Sequence, residues 1–78
     1  MVLTKYDKAF IKVLNIDNDQ LNEKLTFKDT PVWDSLAHME LIAAIEEAYD
    51  FMFEPEEITH FGSYENGKRI LAKHGIEL

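Results

Sequence analysis

The chain has 78 residues, no cysteine, and 15 acids against 8 bases, for a formal net charge of −7. That length suits one small domain with a marginal core, and the missing cysteines exclude disulfides and thiolate metal sites. The acids are concentrated: from Asp29 to Gly67 there are 10 acids and no Lys or Arg, whereas residues 1–28 sum to +1 and residues 68–78 to +2. A nucleic-acid footprint needs clustered bases and is disfavoured, while a field of this sign steers basic protein surfaces.

The opening stretch, Met1-Val2-Leu3-Thr4-Lys5-Tyr6-Asp7-Lys8, has no long apolar run. Neither a signal peptide nor a membrane span is expected, and the cytoplasm is the default location. From Leu3 to Leu14, the residues Leu3, Tyr6, Phe10, Val13 and Leu14 share one helical stripe, with Lys5, Lys8 and Lys12 pointing away. Thr4, with Asp7 three positions on, has the form of a capping pair.

Asn15 to Val32 reads as a long connection whose Asn and Asp residues favour turns. Leu21, Leu25 and Phe27 are expected to tuck inward and hold it down. Asp17-Asn18-Asp19 departs from a calcium loop, which needs an oxygen ligand where Leu21 stands and Gly where Asn22 stands. Pro31 makes Thr30-Pro31-Val32 extended, and Trp33 is expected to anchor the loop to the helices.

Asp34 and Ser35 are both helix-capping residue types. They precede a helical run expected from Ser35 to Tyr49 or Asp50, with no Gly or Pro inside it. On a wheel of about 100° per residue, Ala37, His38, Leu41, Ile42, Ala44, Ile45, Ala48 and Tyr49 face the core. Glu40, Glu46, Glu47 and Asp50 face out, and so do Leu36, Met39 and Ala43. Leu36 and Met39 are sizeable apolar residues among carboxylates, one turn from a helix-opening Ser, where the core does not need them.

Phe51-Met52-Phe53 is a short apolar linker. Glu54-Pro55-Glu56-Glu57 then opens a short third helix, with Pro at the first position and early acids suited to the dipole. It carries Ile58 and Phe61 inward and stops at Gly62. Ser63 caps a fourth helix from Tyr64 to about His74, with Tyr64, Gly67, Ile70 and Leu71 inside and Gly75 as the stop. The expected fold class is all-α: four helices, with a long loop between the first two and a very short third helix.

Catalytic machinery is not apparent. Asp34, Ser35 and His38 invite a triad reading, but near neighbours at one helix start create no oxyanion hole, and His38 lies toward the core edge. His60 and His74 lack ligand spacing, so no metal site is expected.

The order of these elements, and above all Trp33-Asp34-Ser35-Leu36 followed by Met39-Glu40-Leu41-Ile42 and Ile45-Glu46-Glu47-Ala48-Tyr49, resembles the acyl carrier protein family. The resemblance spans essentially the whole chain. It implies a four-helix bundle of that type, a single carrier domain over residues 1–78, and no enzymatic activity of its own. It also implies that Ser35 carries 4′-phosphopantetheine through a phosphodiester, whose terminal thiol holds an acyl, polyketide or aminoacyl cargo as a thioester. Asp34 then matches the acid recognised by a phosphopantetheinyl transferase. Leu36, Met39, Glu40 and Glu47 match the partner-binding face, to which Glu56 and Glu57 of the third helix would add. Partners would be loading and processing enzymes with basic docking surfaces, met by a monomer in fatty-acid or secondary-metabolite biosynthesis. Trp33 and Asp50 stand where the fatty-acid type has Gly, and Ala37 where it has an acid, which turns the resemblance toward carriers of specialised pathways. The alternative is an unmodified small helical interaction module using the same face.

Overall fold

In the computed structural model, which describes residues 3–78, four α-helices follow one another: α1 Lys5–Leu14, α2 Ser35–Tyr49, α3 Pro55–His60 and α4 Tyr64–Lys73. The readings that involve Met1 and Val2 lie outside the described residues. A short 3-10 turn at Asn18–Gln20, not anticipated from sequence, breaks the long connection between α1 and α2. Among the described residues no helix is long and apolar enough to cross a membrane. The radius of gyration is 11.3 Å, close to the roughly 11.5 Å expected of a folded chain this long.

The helix starts follow the capping residues, and α1 begins at Lys5 rather than at Leu3 as expected. Thr4 caps α1: its hydroxyl accepts from the Asp7 N–H at 3.0 Å, and the Asp7 carboxylate accepts from the Thr4 N–H at 3.1 Å. Leu3 therefore lies just before the helix rather than within it. Pro55 takes the first position of α3, and Ser63 caps α4 through the Asn66 N–H. Asp50 ends α2 in the left-handed region at φ 53, a conformation that a short polar side chain tolerates better than most. Its neighbour Tyr49 has a separate task, accepting the otherwise orphaned N–H of Tyr6 in the first turn of α1 at 3.0 Å.

α1 packs directly on α2, and the core lies between them and α4. Tyr6, Phe10, Leu14, Leu41, Ile42, Ile45, Phe61, Tyr64, Ile70 and Leu71 are buried together with Trp33, as the helical stripes anticipated. Buried polar groups tie α1 to α4: the Tyr6 hydroxyl donates to the Tyr64 carbonyl, and the Tyr64 hydroxyl donates to the Asp7 carboxylate. Burial, reinforced by that carboxylate, pushes the Tyr64 phenol up and keeps it a donor.

The long connection is held by a feature no local pattern announces. Thr26 and Ser63 form an isolated antiparallel bridge, with Phe27 N–H donating to the Gly62 carbonyl at 2.9 Å and Tyr64 N–H to the Leu25 carbonyl at 3.0 Å. Leu25 is buried and Leu21 half-buried, as expected, but Phe27 is exposed. The bridge fixes its backbone at the edge, so its ring lies over Trp33 and His38 at the surface instead of entering the core.

At Gly67 the backbone of α4 lies tight against the core. A Cβ there would come within 2.1 Å of the Tyr6 hydroxyl oxygen and 2.3 Å of the Phe61 ring. Helix propensity favours Ala over Gly by about 1 kcal/mol, but overpacking costs about 1–3 kcal/mol or more. Gly67→Ala is therefore expected to lower the denaturant midpoint. A neutral or raised midpoint would show that α4 is not seated as described.

Candidate functional site

The site is built outward from Trp33. A turn closed by the Trp33 N–H on the Thr30 carbonyl at 2.9 Å swings the indole inward, where it is 1% exposed. Its ring meets Phe10 edge-on at 5.3 Å and Phe61 at 6.0 Å. The indole N–H donates to Nδ1 of His38 at 3.0 Å, and Nε2 of His38 lies 2.9 Å from the Ile58 carbonyl oxygen. An indole can only donate and a carbonyl can only accept. The imidazole is therefore neutral, with its proton on Nε2. Both ring nitrogens are committed, so His38 is unable to serve Ser35 as a base.

Seating Trp33 places Asp34 at the N-cap of α2, where its carboxylate accepts from the Ala37 N–H at 2.9 Å. Ser35 is thus the first residue of the helix and not its cap. It is exposed, and among the described residues its hydroxyl makes no internal hydrogen bond. The N–H groups of Ser35 and Leu36 belong to the first turn, where no carbonyl four residues earlier is helical, and neither has a protein partner among the described residues. An exposed hydroxyl therefore stands at the positive end of a helix of 15 residues, about 22 Å long.

The outer face of α2 is as expected from the wheel. Leu36 is 71% exposed and Met39 56%, and Glu40 and Glu47 are exposed with them. Asp34 and Glu56 are also exposed. Among the described residues no Lys or Arg lies within 4.0 Å of any carboxylate; the ion pair present joins His74 to Glu57. Beyond that range, Lys8 and Lys12 border the same hollow as Glu47, and Lys73 the same hollow as Glu56.

Two acids are not part of that exposed set. Glu46, anticipated on the outer face, accepts the Phe53 N–H at 2.9 Å and so secures the α2–α3 linker. Glu57 accepts from the Glu54 N–H at 2.9 Å and lies 2.8 Å from Nε2 of His74. Its carboxylate is turned toward α4, whereas Glu56 beside it faces solvent.

The sequence reading missed the wall beside Ser35. Phe27, Ser35, His38, Met39, Ile58, Thr59 and Gly62 line a hollow of about 330 Å³ that opens to solvent. No local signal could have assembled it, because its residues come from the loop, α2 and α3. Neither a scan of protein-family models nor a search of curated proteins finds a match to the chain.

Burial acts to raise the Glu57 pKa, but the bonds from the Glu54 N–H and His74 outweigh it and hold the carboxyl below its usual 4.5. A depressed acid contributes stability above its unfolded pKa and loses it as pH falls through the folded one. Glu57→Gln should thus remove part of the loss in melting temperature expected on acidification below about pH 4.5, the usual value. Melting curves of the two proteins that stay parallel across that range would contradict the pairing.

Proposed function

We propose that the protein is a carrier of acyl-carrier-protein type, with Ser35 as the point of attachment for 4′-phosphopantetheine. The observation that carries this reading is the division of labour between Asp34 and Ser35. Asp34 caps the helix, and the hydroxyl beside it is left exposed, unbonded and reachable by a modifying enzyme. The residues fit the group. A phosphodiester anion at Ser35 would sit at a helix N-terminus, near backbone N–H groups without a partner. When bound, the group supplies a thiol that holds cargo as a thioester.

The chain's own residues do the rest. Leu36 and Met39 offer dry contacts beside the attachment point. Asp34, Glu40, Glu47 and Glu56 are exposed, and among the described residues none of them forms an ion pair with Lys or Arg. Such charges speed encounter with a basic surface without making it tight, which suits a protein that must dock and leave. The same face would serve an unmodified interaction module, so modification is the discriminating property.

Incubation of the apo protein with coenzyme A and a broad-specificity phosphopantetheinyl transferase is expected to add one prosthetic group by intact mass. Ser35→Ala should abolish the gain. No gain, or a gain that survives the substitution, rejects the carrier reading.

Reversing charge on the face should act on encounter rather than on folding. Glu47→Lys is expected to slow modification by the transferase and flatten its dependence on salt, while unfolding free energy changes by less than about 0.5 kcal/mol, as for other surface substitutions. A loss of several kcal/mol in stability would show that Glu47 is a structural residue.

A further inference from the structure

His38 uses its two ring nitrogens in opposite senses. Nδ1 accepts from the Trp33 indole N–H at 3.0 Å, and Nε2 donates to the Ile58 carbonyl at 2.9 Å. We infer that His38 is a positioning residue for attachment at Ser35, and that a proton on its Nδ1 releases Trp33 and with it the turn that presents the hydroxyl. The inference rests on the carrier reading and goes beyond it by naming what regulates the same site, which is acidity.

The argument is one of donors and acceptors. An imidazolium has two N–H donors and no acceptor. With Nδ1 protonated, two N–H groups point at each other and the indole loses its partner. Trp33 is 1% exposed, so solvent cannot replace that partner while the indole stays seated. The ring must move outward to be satisfied. Asp34 follows Trp33 directly in the chain and caps α2 through the Ala37 N–H, so this movement disturbs the turn that holds Ser35 at the surface. The Ile58 carbonyl keeps its donor throughout, because Nε2 carries a proton in both forms.

The surroundings supply no counter-charge. The half-buried imidazole packs on the rings of Phe27, Trp33 and Phe61, with centroids 5.6 to 6.0 Å away. Among the described residues no carboxylate lies within 4.0 Å of its nitrogens. On the surrounding elements, the Asp34 carboxylate is bonded to the Ala37 N–H and Glu57 to His74, while Lys28, Asp29, Glu40, Glu54 and Glu56 are exposed. The other two histidines are wired the opposite way. Nδ1 of His60 donates to the Glu56 carbonyl, and Nε2 of His74 donates to the Glu57 carboxylate. A second proton on either ring keeps those bonds. Of the histidine hydrogen bonds described, only the one from Trp33 to His38 is lost on protonation.

Trp33 is its own reporter, since the chain has no other tryptophan. The apo protein is titrated from about pH 8 to about pH 5, the range in which histidine changes charge, and the emission maximum and quenching by acrylamide are recorded. As pH falls, emission is expected to move to longer wavelength and quenching to increase. His38→Gln should hold both constant, because an amide sets an acceptor and a donor side by side and does not titrate. His60 and His74 stay in place in that variant, so whatever they contribute remains. In the unaltered protein at neutral pH, nitrogen NMR should show His38 protonated on Nε2 alone. The rate of modification with coenzyme A and the transferase is measured over the same range. The ratio of the unaltered protein to His38→Gln, in which the enzyme's own pH dependence cancels, should fall on acidification, by up to about tenfold per pH unit for one linked proton.

No change in emission, or a change that His38→Gln retains, would overturn the inference. So would a proton on Nδ1 at neutral pH or a rate ratio that stays flat. Fluorescence and nitrogen NMR need no transferase and decide the state of the latch by themselves. A protein left unmodified at every pH fails the carrier reading instead, so the two failures are distinct.

Discussion

The hydrogen-bonded line from Trp33 through His38 to the Ile58 carbonyl is the constraint on which the structure depends. It joins three separate pieces: the end of the long connection, the second turn of α2 and the last turn of α3. α3 has only 6 residues, too few to be stable as a helix on its own, and this line is one of the contacts that hold it. Truncating a buried aromatic of this size costs about 3–5 kcal/mol, against a total stability for a small domain of about 5–15 kcal/mol. The seating of Trp33 also decides the register of the helix start. With the indole buried, the next residue must turn back to the surface as the cap, and Ser35 follows it into the first helical turn with its hydroxyl outward.

The acids of the chain divide by what they touch. Asp7, Glu46 and Glu57 are bound into the structure through Tyr64, the Phe53 N–H and His74 respectively. Asp34 serves the helix start yet remains exposed, and Glu40, Glu47 and Glu56 are exposed with no Lys or Arg in pairing range among the described residues. Exposed ion pairs contribute at most about 1 kcal/mol, so leaving these three unpaired costs folding little. It leaves their negative charge open to solvent on this side of the molecule. The face that the proposed function needs is thus also the face that the fold can spare.

How far the sequence alone revealed this depends on the range of each interaction. Thr4 with Asp7, Pro55, Ser63 and the left-handed Gly75 carry local signals, and the helices begin and end within two residues of the expected bounds. The wheel separated Leu41 and Ile45 from Leu36 and Met39 correctly, because α2 is long enough for its period to be read. The burial of Leu25 and Trp33 was anticipated as well, but the particular partners of several residues far apart in the chain escaped. The Thr26–Ser63 bridge kept Phe27 at the surface, His74 drew Glu57 out of the solvent-facing set, and the Phe53 N–H did the same for Glu46. Ser35 was legible as a helix-opening residue, but its freedom from capping was not. Asp34 and Ser35 are equally good caps by type, and only the burial of Trp33 decides between them.

The central claim is that the hydroxyl exposed at the start of α2 is used as an attachment point in the living cell. The measurement that meets this claim most directly is mass spectrometry of the protein recovered from the cells that make it. Since no Lys or Arg lies between Asp29 and Gly67, trypsin leaves Ser35 within one fragment from Asp29 to Lys68. The account predicts that this fragment carries phosphopantetheine, released as its pantetheine portion on fragmentation, with the site assigned to Ser35. A fragment that is unmodified in every molecule, or modified at another residue, would contradict it.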